Sequence, residues 1–260
     1  MDLQLSDRRA LIIGGTRGLG RAVADALAAD GARLVVTGRD TDAGASAERA
    51  LGPKATFIAG NIRDEDYRER LVSEAETALG GGIDILVTNA GGPPPGQFTE
   101  QPLEAWRDAL ETNMLAAIDL ARRIVPGMAE RGFGRVVNVT SFAVKEPYPN
   151  MALSNGVRTG MTGAMATLAR EVIHQGVTVN NVLPGLMDTG ALERVYNARA
   201  EREGTTPDKA KAALAASVPA GRLGTAEDFG PVCAFLCSPL AGYITAQNIT
   251  VDGGLTRGLL

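Results

Sequence analysis

The chain has 260 residues, a formal net charge of −4, and a composition that is 45% hydrophobic and 22% charged. Neither a basic tract nor a surplus of basic residues is present, which argues against nucleic acid or an anionic membrane as the main partner. The length suits one α/β domain that covers residues 1–260. No apolar stretch has the length of a signal peptide or a membrane span, so we expect a cytoplasmic protein.

Apolar strand-like runs alternate with helical patterns along the whole chain. The predicted strands are residues 10–13, 33–37, 55–59, 84–88, 135–140, 177–182 and 248–251. Nearly continuous apolar strands separated by helices are typical of a parallel sheet that is covered on both faces. Right-handed crossovers then give a doubly wound, Rossmann-type α/β fold with about seven strands.

Three other segments have a distinct composition. The glycine- and proline-rich stretch 91–96 predicts an irregular connection after the fourth strand, because proline lacks an amide donor and has a fixed φ angle. Residues 190–217 show a helical pattern interrupted at 204–207, and they are compatible with a substrate lid or with a plain surface helical hairpin. Cys233 and Cys237 lie in an apolar helical run, where we expect them to be small buried side chains.

Glycines at positions 14, 18 and 20 lie between the first predicted strand and a helix predicted over residues 18–29. Their small size allows a tight turn and a close approach to a pyrophosphate, while the helix amino terminus supplies free amides. The spacing G-x-x-x-G-x-G alone is also compatible with an ordinary strand-to-helix turn. Its position after the first strand favours a dinucleotide site. That predicted site comprises Gly14, Thr16, Arg17, Gly18, Leu19 and Gly20.

Further motifs follow in the order typical of one protein family. They are Asn89-Ala90-Gly91 after the fourth strand, Asn113, Pro184-Gly185 with Thr189, and a tail from Gly221 to Gly254. With them the chain resembles the short-chain dehydrogenase/reductase family, in its ketoacyl-carrier-protein-reductase-like branch, over almost its whole length. The resemblance implies that Asn89, Ala90 and Gly91 steady the sheet beside the cofactor. It also implies that Asn113 kinks a helix and organises water, and that the Pro184–Thr189 stretch embraces the nicotinamide side.

The end of the second strand predicts which dinucleotide is bound. An acidic residue there would hold the ribose 2′-hydroxyl of NAD, but the resemblance places Gly38 and then Arg39 at this point. A guanidinium can pair bidentately with a 2′-phosphate, and Arg17 adds a second positive charge. Asp40 and Asp42 follow closely, so a shift of two residues would reverse the prediction, and both arginines could instead be solvated surface groups. We predict NADP(H) rather than NAD(H). The resemblance places two more residues beside the adenine ring, Asn61 and Ile62.

The expected catalytic residues depart from the family pattern. The resemblance implies a serine, then a tyrosine, then a lysine four residues after the tyrosine on the same helical face. Ser141 matches the serine, whereas Ser154 and Arg158 stand in place of the tyrosine and the lysine. Arg158 stays cationic and can still bridge ribose hydroxyls, but it cannot give up a proton. Proton donation is therefore the impaired step, and general acid help is typically worth about 10²–10⁴-fold.

A replacement proton donor could be a water held by Ser154 or the phenol of Tyr148, which lies in the loop after Ser141. Tyr148 could equally be only a wall of the substrate pocket. His174, the only histidine, is predicted near a helix end without a chemical role.

The leading hypothesis is an NADP(H)-dependent short-chain oxidoreductase that acts on a carbonyl/alcohol pair of a small-molecule substrate. The alternative is a weak or inactive NADP(H)-binding pseudoenzyme that acts as a sensor or scaffold, and a third possibility is chemistry on already activated carbonyls. Small residues at helical spacing in 160–169 permit close helix contacts, and with the resemblance they predict a homotetramer, or else a dimer. We expect no metal.

Overall fold

The computed structural model describes residues 1–258 and contains one parallel sheet of seven strands. The spatial order is β3-β2-β1-β4-β5-β6-β7, so the direction of winding reverses between β1 and β4. The strands are β1 Arg9–Ile13, β2 Arg33–Gly38, β3 Ala55–Ala59, β4 Ile85–Thr88, β5 Gly134–Val139, β6 Val177–Pro184 and β7 Asn248–Val251. This order and the helices on both faces confirm the predicted doubly wound fold.

Nine α-helices in the described residues connect and cover the strands. They are α1 Gly18–Ala29, α2 Thr41–Leu51, α3 Glu65–Leu79, α4 Leu103–Leu110, α5 Ala116–Glu130, α6 Ala152–Val172, α7 Gly190–Glu203, α8 Pro207–Ser217 and α9 Ala226–Cys237. Some strand bounds differ from the predicted ones. β4 begins at Ile85 rather than at Asp84, whose carboxylate instead accepts two hydrogen bonds from the Arg9 guanidinium at 2.9 and 2.8 Å.

The sheet buries two apolar cores, one on each face. One core packs α1 and α9 against the strands and includes Cys233 and Cys237, which are both completely buried. Burial raises the pKa of Cys237 to about 12, so the thiol stays protonated and packs as a small apolar group. The other core packs α3, α5 and α6 against the opposite face. These two layers hold the carboxyl edge of the sheet, where the site lies.

The helix after β4 is irregular at the residue that the resemblance singles out. One π-helical turn, Glu111–Leu115, separates α4 from α5 and contains the buried Asn113. Such turns widen the helical ladder locally and occur often at functional sites. In the stretch 91–96 predicted to be irregular, residues 91–95 form neither helix nor strand, whereas Gly96 makes an isolated parallel β-bridge with Met151.

Two helices at the surface account for the long segment after β6. α7 and α8 form a hairpin that breaks at Gly204, whose φ of +62° suits glycine. The hairpin is tied to its base by an ion pair between Lys211 and Asp188 at 2.8 Å. His174 lies in a short 3₁₀ turn after α6, in agreement with the predicted helix end. Among residues 1–258, no helix combines the length and the apolar character that crossing a bilayer requires.

Candidate active site

The glycine loop after β1 is clamped by a side chain from the neighbouring strand. Asn89, just past β4, donates from Nδ2 to the carbonyl oxygen of Gly14 at 3.2 Å. Gly14 has a φ of +64° and Gly18 has a φ of +57°, which glycine adopts without a steric penalty. A Cβ on Gly20 would lie 2.2 Å from the Gly14 oxygen, so only glycine fits there. The loop therefore brings the amino end of α1 to the carboxyl edge of the sheet.

The residues between these glycines divide between surface and support. Arg17 is exposed, while Thr16 and Leu19 are half-buried. A Cβ on Gly38 would contact the Thr16 side chain at 3.1 Å, so the loop packs closely on the end of β2. Thr16 thus supports the loop from below, whereas Arg17 faces solvent.

The end of β2 separates the cationic group from the nearby carboxylates. Arg39 is exposed directly after the strand, and no ion pair engages it within residues 1–258. The Asp40 carboxylate is the amino-terminal cap of α2 and accepts from the amide of Ala43 at 3.0 Å. Asp42 lies in the first turn of the same helix. The Asp40 carboxylate, which would favour NAD(H) if it took the place assigned to Arg39, is therefore engaged in capping a helix.

A cleft runs along the carboxyl ends of β1, β4 and β5. Its floor contains a small, partly open cavity of about 20 Å³, large enough for one water molecule, whose lining includes Ile62, Asn89, Ala90, Asn113 and Arg158. The cleft thus brings together five residues that lie up to 96 positions apart in the chain.

Asn113, which lines this cavity, and Asn61, which precedes Ile62, are each held by a hydrogen bond. Asn113 donates from Nδ2 to the carbonyl oxygen of Gly91 at 3.0 Å, which ties the π-helical turn to the loop after β4. Asn61 is exposed, and its side-chain oxygen accepts from the amide of Arg63 at 3.2 Å. The Asn61 side chain therefore stabilises the turn between β3 and α3.

Ser141 follows β5 at the same edge. Its side chain is buried, and Oγ accepts a hydrogen bond from the amide of Ala143 at 3.2 Å. Because this bond uses a lone pair, the hydroxyl proton remains available to donate to a bound oxygen. Ser141 is thus oriented as a donor by its own backbone turn.

Arg158 is a buried cation that binds backbone oxygens instead of carboxylates. Its guanidinium donates to the carbonyl oxygens of Val139 at 3.0 Å, Thr140 at 2.9 Å and Ala90 at 3.2 Å. Within the described part of the chain, Nε has no hydrogen-bond partner and no carboxylate lies within 4 Å of the side chain. Burial lowers the pKa of Arg158 to about 10, which still leaves it charged at neutral pH.

Ser154 lies one helical turn before Arg158 on α6 and is almost completely buried, with 3% of its surface exposed. The i, i+4 spacing places both residues on the inner face of the helix, as the sequence predicts. Tyr148 lies in the loop that precedes α6 and is 42% exposed. Its ring packs edge-on against Phe142 with centroids 5.5 Å apart.

The structure also reveals a contact that the sequence does not signal. The Glu146 carboxylate accepts from the backbone amide of Arg257 at 2.9 Å, so the C-terminal tail lies against the loop after Ser141. Asp252 anchors the start of this tail by accepting from the amides of Gly254 and Thr256. Bonds between segments 111 residues apart leave no local sequence pattern.

The end of β6 completes the cleft. Pro184 is the last residue of the strand, and the Gly185 amide donates to the Val251 oxygen at 3.0 Å. A Cβ on Gly185 would lie 2.6 Å from the Asp252 side chain, so glycine is required for this approach. Thr189 directly precedes α7 and donates from Oγ1 to the Met187 oxygen at 3.4 Å.

A doubly wound sheet with a glycine turn at its switch point defines the general class of dinucleotide-binding α/β proteins. A family model described as enoyl-(acyl carrier protein) reductase matches residues 14–256. The 3-oxoacyl-(acyl-carrier-protein) reductase FabG of Haemophilus influenzae is 34% identical over 246 residues, covering 95% of this chain and 97% of that protein. Dehydrogenase/reductase SDR family member 4 of Bos taurus is also 34% identical, over 96% of this chain and 88% of that protein.

Among solved structures, the chain is similar to L-sorbose reductase of Gluconobacter frateurii in complex with NADPH and L-sorbose. The two share 30% identity with a TM-score of 0.94, and all of each chain is covered. The protein belongs to the short-chain dehydrogenase/reductase family, in the branch that resembles ketoacyl-carrier-protein reductases, and it is an oxidoreductase of that family.

Proposed function

We propose that this protein is an NADP(H)-dependent oxidoreductase that acts on the carbonyl/alcohol pair of a small molecule, with Ser154 and Arg158 in its reacting set. The observation that carries this proposal is the position of two features on one edge of the sheet. The clamped glycine loop lies at the switch point, and the oriented Ser141 hydroxyl lies across it. The binding-protein alternative finds no support in the comparisons, because the relatives with a stated activity are named as reductases or dehydrogenases.

The residues along the cleft indicate which part of it would hold each half of the cofactor. The glycine loop would hold the pyrophosphate, and Arg39, Asn61 and Ile62 at the ends of β2 and β3 would hold the adenosine half. The ends of β4, β5 and β6, with Ser141 and Arg158, would then hold the nicotinamide half. The steric demand for glycine at position 20 supports this fit, because a Cβ would collide with the Gly14 oxygen and Asn89 and so displace the loop that would hold the phosphates.

Arg39 is proposed to select the phosphorylated cofactor. We expect Arg39→Gln to reduce the preference for NADPH over NADH roughly tenfold or more, because hydrogen bonds to a charged group contribute about 1.5–3 kcal/mol. Fluorescence titration with each reduced nucleotide measures both dissociation constants. The matched control is Arg49→Gln, an exposed arginine near the far end of α2. If the ratio of the dissociation constants for NADH and NADPH were unchanged in Arg39→Gln, Arg39 would be only a solvated surface group.

The reacting groups divide the work by their chemistry. The bound cofactor supplies or accepts the hydride, and Ser141 donates its free hydroxyl proton in a hydrogen bond to the substrate oxygen. Ser154, or a water that it holds, donates the proton to the substrate oxygen during reduction and accepts it during oxidation. Asn113 organises water in the small cavity that it lines together with Arg158. The proton step is the weakest part of this set, because a serine hydroxyl is a poor acid near neutral pH.

We assign Tyr148 to the wall of the substrate pocket. Its ring packs on Phe142, and its backbone oxygen accepts from Asn155 Nδ2 at 3.1 Å, so its contacts are structural. Tyr148→Phe removes the phenol oxygen and keeps the ring, so we expect kcat to stay unchanged. Steady-state kinetics on any accepted substrate measure this. A large loss of kcat would instead make the phenol the proton donor.

The α7–α8 hairpin is proposed as a substrate lid over the carboxyl edge, because it begins directly after Thr189.

We also propose a homotetramer. Two exposed apolar sets support self-association: Leu110 with Leu115 around the π-helical turn, and Leu240 with Tyr243 before β7.

A further inference from the structure

The charge on Arg158 is not offset by a neighbouring carboxylate. The side chain is 94% buried by residue surface, since 6% is exposed, and its partners among residues 1–258 are three backbone oxygens. Those oxygens accept three hydrogen bonds from the guanidinium, leave its Nε without a partner among the described residues, and carry no net charge. A full positive charge therefore lies in the floor of the cleft, in a region that water screens poorly.

Two carboxylates lie near this end of the cleft, and neither makes an ion pair with Arg158: Asp252 accepts from the amides of Gly254 and Thr256, and Glu146 lies at the surface. Glu146 is exposed and bound to the amide of Arg257, so solvent screens its charge. Asn113 and Ser154 are neutral. The other groups that line the small cavity with Arg158 are apolar side chains, threonines and asparagines.

The two redox states of the cofactor differ in charge at the same end. The nicotinamide ring carries one positive charge when oxidised and none when reduced, while the rest of the dinucleotide is unchanged. At an effective dielectric constant of about 20, one charge acting on another across roughly 10 Å changes a binding constant by roughly tenfold. A buried cation near the nicotinamide half must therefore weaken the binding of the oxidised cofactor relative to the reduced cofactor.

We infer that Arg158 is the residue that makes this cleft discriminate between redox states, binding NADPH more tightly than NADP⁺. The inference rests on the proposed function, in which the nicotinamide half lies over β4 and β5. It assigns Arg158 a role beyond holding ribose hydroxyls, because ribose contacts are the same in both redox states.

The test compares the dissociation constants of NADPH and NADP⁺ by isothermal titration calorimetry. In the unmodified protein we expect NADPH to bind roughly tenfold more tightly or better. Arg158→Gln keeps hydrogen-bond donors but removes the charge, so it should bring the two constants close together. Arg158→Lys keeps the charge and should keep most of the difference.

Arg135 provides the matched control. It is also a buried arginine held by backbone oxygens, those of Gly134, Gly176 and Ser238, but it lies at the opposite end of β5. Arg135→Gln should lower stability without changing the ratio of the two constants. An equal loss of affinity for both nucleotides in Arg158→Gln would overturn the inference.

The unmodified protein gives a second, independent outcome if Arg158→Gln does not fold. Equal affinity for NADPH and NADP⁺ in that protein would overturn the inference and leave the proposed function intact. Failure to bind either nucleotide would instead overturn the proposed function, and the inference with it.

Discussion

Gly20→Ala should weaken NADPH binding by roughly 100-fold or more. The new methyl carbon would lie 2.2 Å from the Gly14 oxygen and 2.7 Å from Asn89 Nδ2, far inside contact distance. The glycine loop must then move away from the amino end of α1, and hydrogen bonds to the pyrophosphate are lost. Each such bond to a charged group contributes about 1.5–3 kcal/mol, so losing one or two gives this effect.

Helix propensity alone predicts that Gly20→Ala stabilises the protein, with no loss of NADPH affinity. Gly20 lies within α1, where alanine is favoured over glycine by up to about 1 kcal/mol. The matched control is Gly163→Ala in α6, where a Cβ would meet nothing within 4 Å. Gly163 lies in the 160–169 stretch of the predicted oligomer contact, so this control is judged by NADPH affinity alone, which we expect to equal that of the unmodified protein. Fluorescence titration decides, and unimpaired binding in Gly20→Ala would contradict the assigned loop.

Ser141→Ala should lower kcat by about 10²–10³-fold while NADPH still binds. The loss of one preorganised donor to a developing oxyanion has this magnitude. The substitution also removes the acceptor for the Ala143 amide, a capping bond worth about 1 kcal/mol. Measuring kcat together with cofactor affinity separates the chemical effect from the structural one, because only the first should change greatly.

Ser238→Ala is the control for Ser141→Ala. Ser238 is completely buried and donates to the Phe235 oxygen at 2.7 Å, but it lies at the end of α9, away from the cleft. This variant should lose some stability and keep kcat. If Ser141→Ala retained full turnover, the proposed role of its hydroxyl in binding the substrate oxygen would be wrong.

Local patterns in the sequence were sufficient for the framework of the fold. Strands 55–59 and 248–251 and the helix 18–29 have the predicted bounds, because apolar periodicity and glycine turns act over a few residues. The order of glycines, strands and motifs also identified the family correctly. The placement of Ser154 and Arg158 on one face of α6 follows from helical spacing alone.

The partners of the site residues were decided only by the tertiary structure. The sequence left open whether Asp40 or Arg39 meets the cofactor, and a helix cap occupies the Asp40 carboxylate. It predicted a cationic Arg158 but not that three backbone oxygens, one at the end of β5 and two just beyond β4 and β5, would hold it without a counter-charge. These contacts join segments that the sheet brings together, and the sequence specifies them only through the packing of the whole chain.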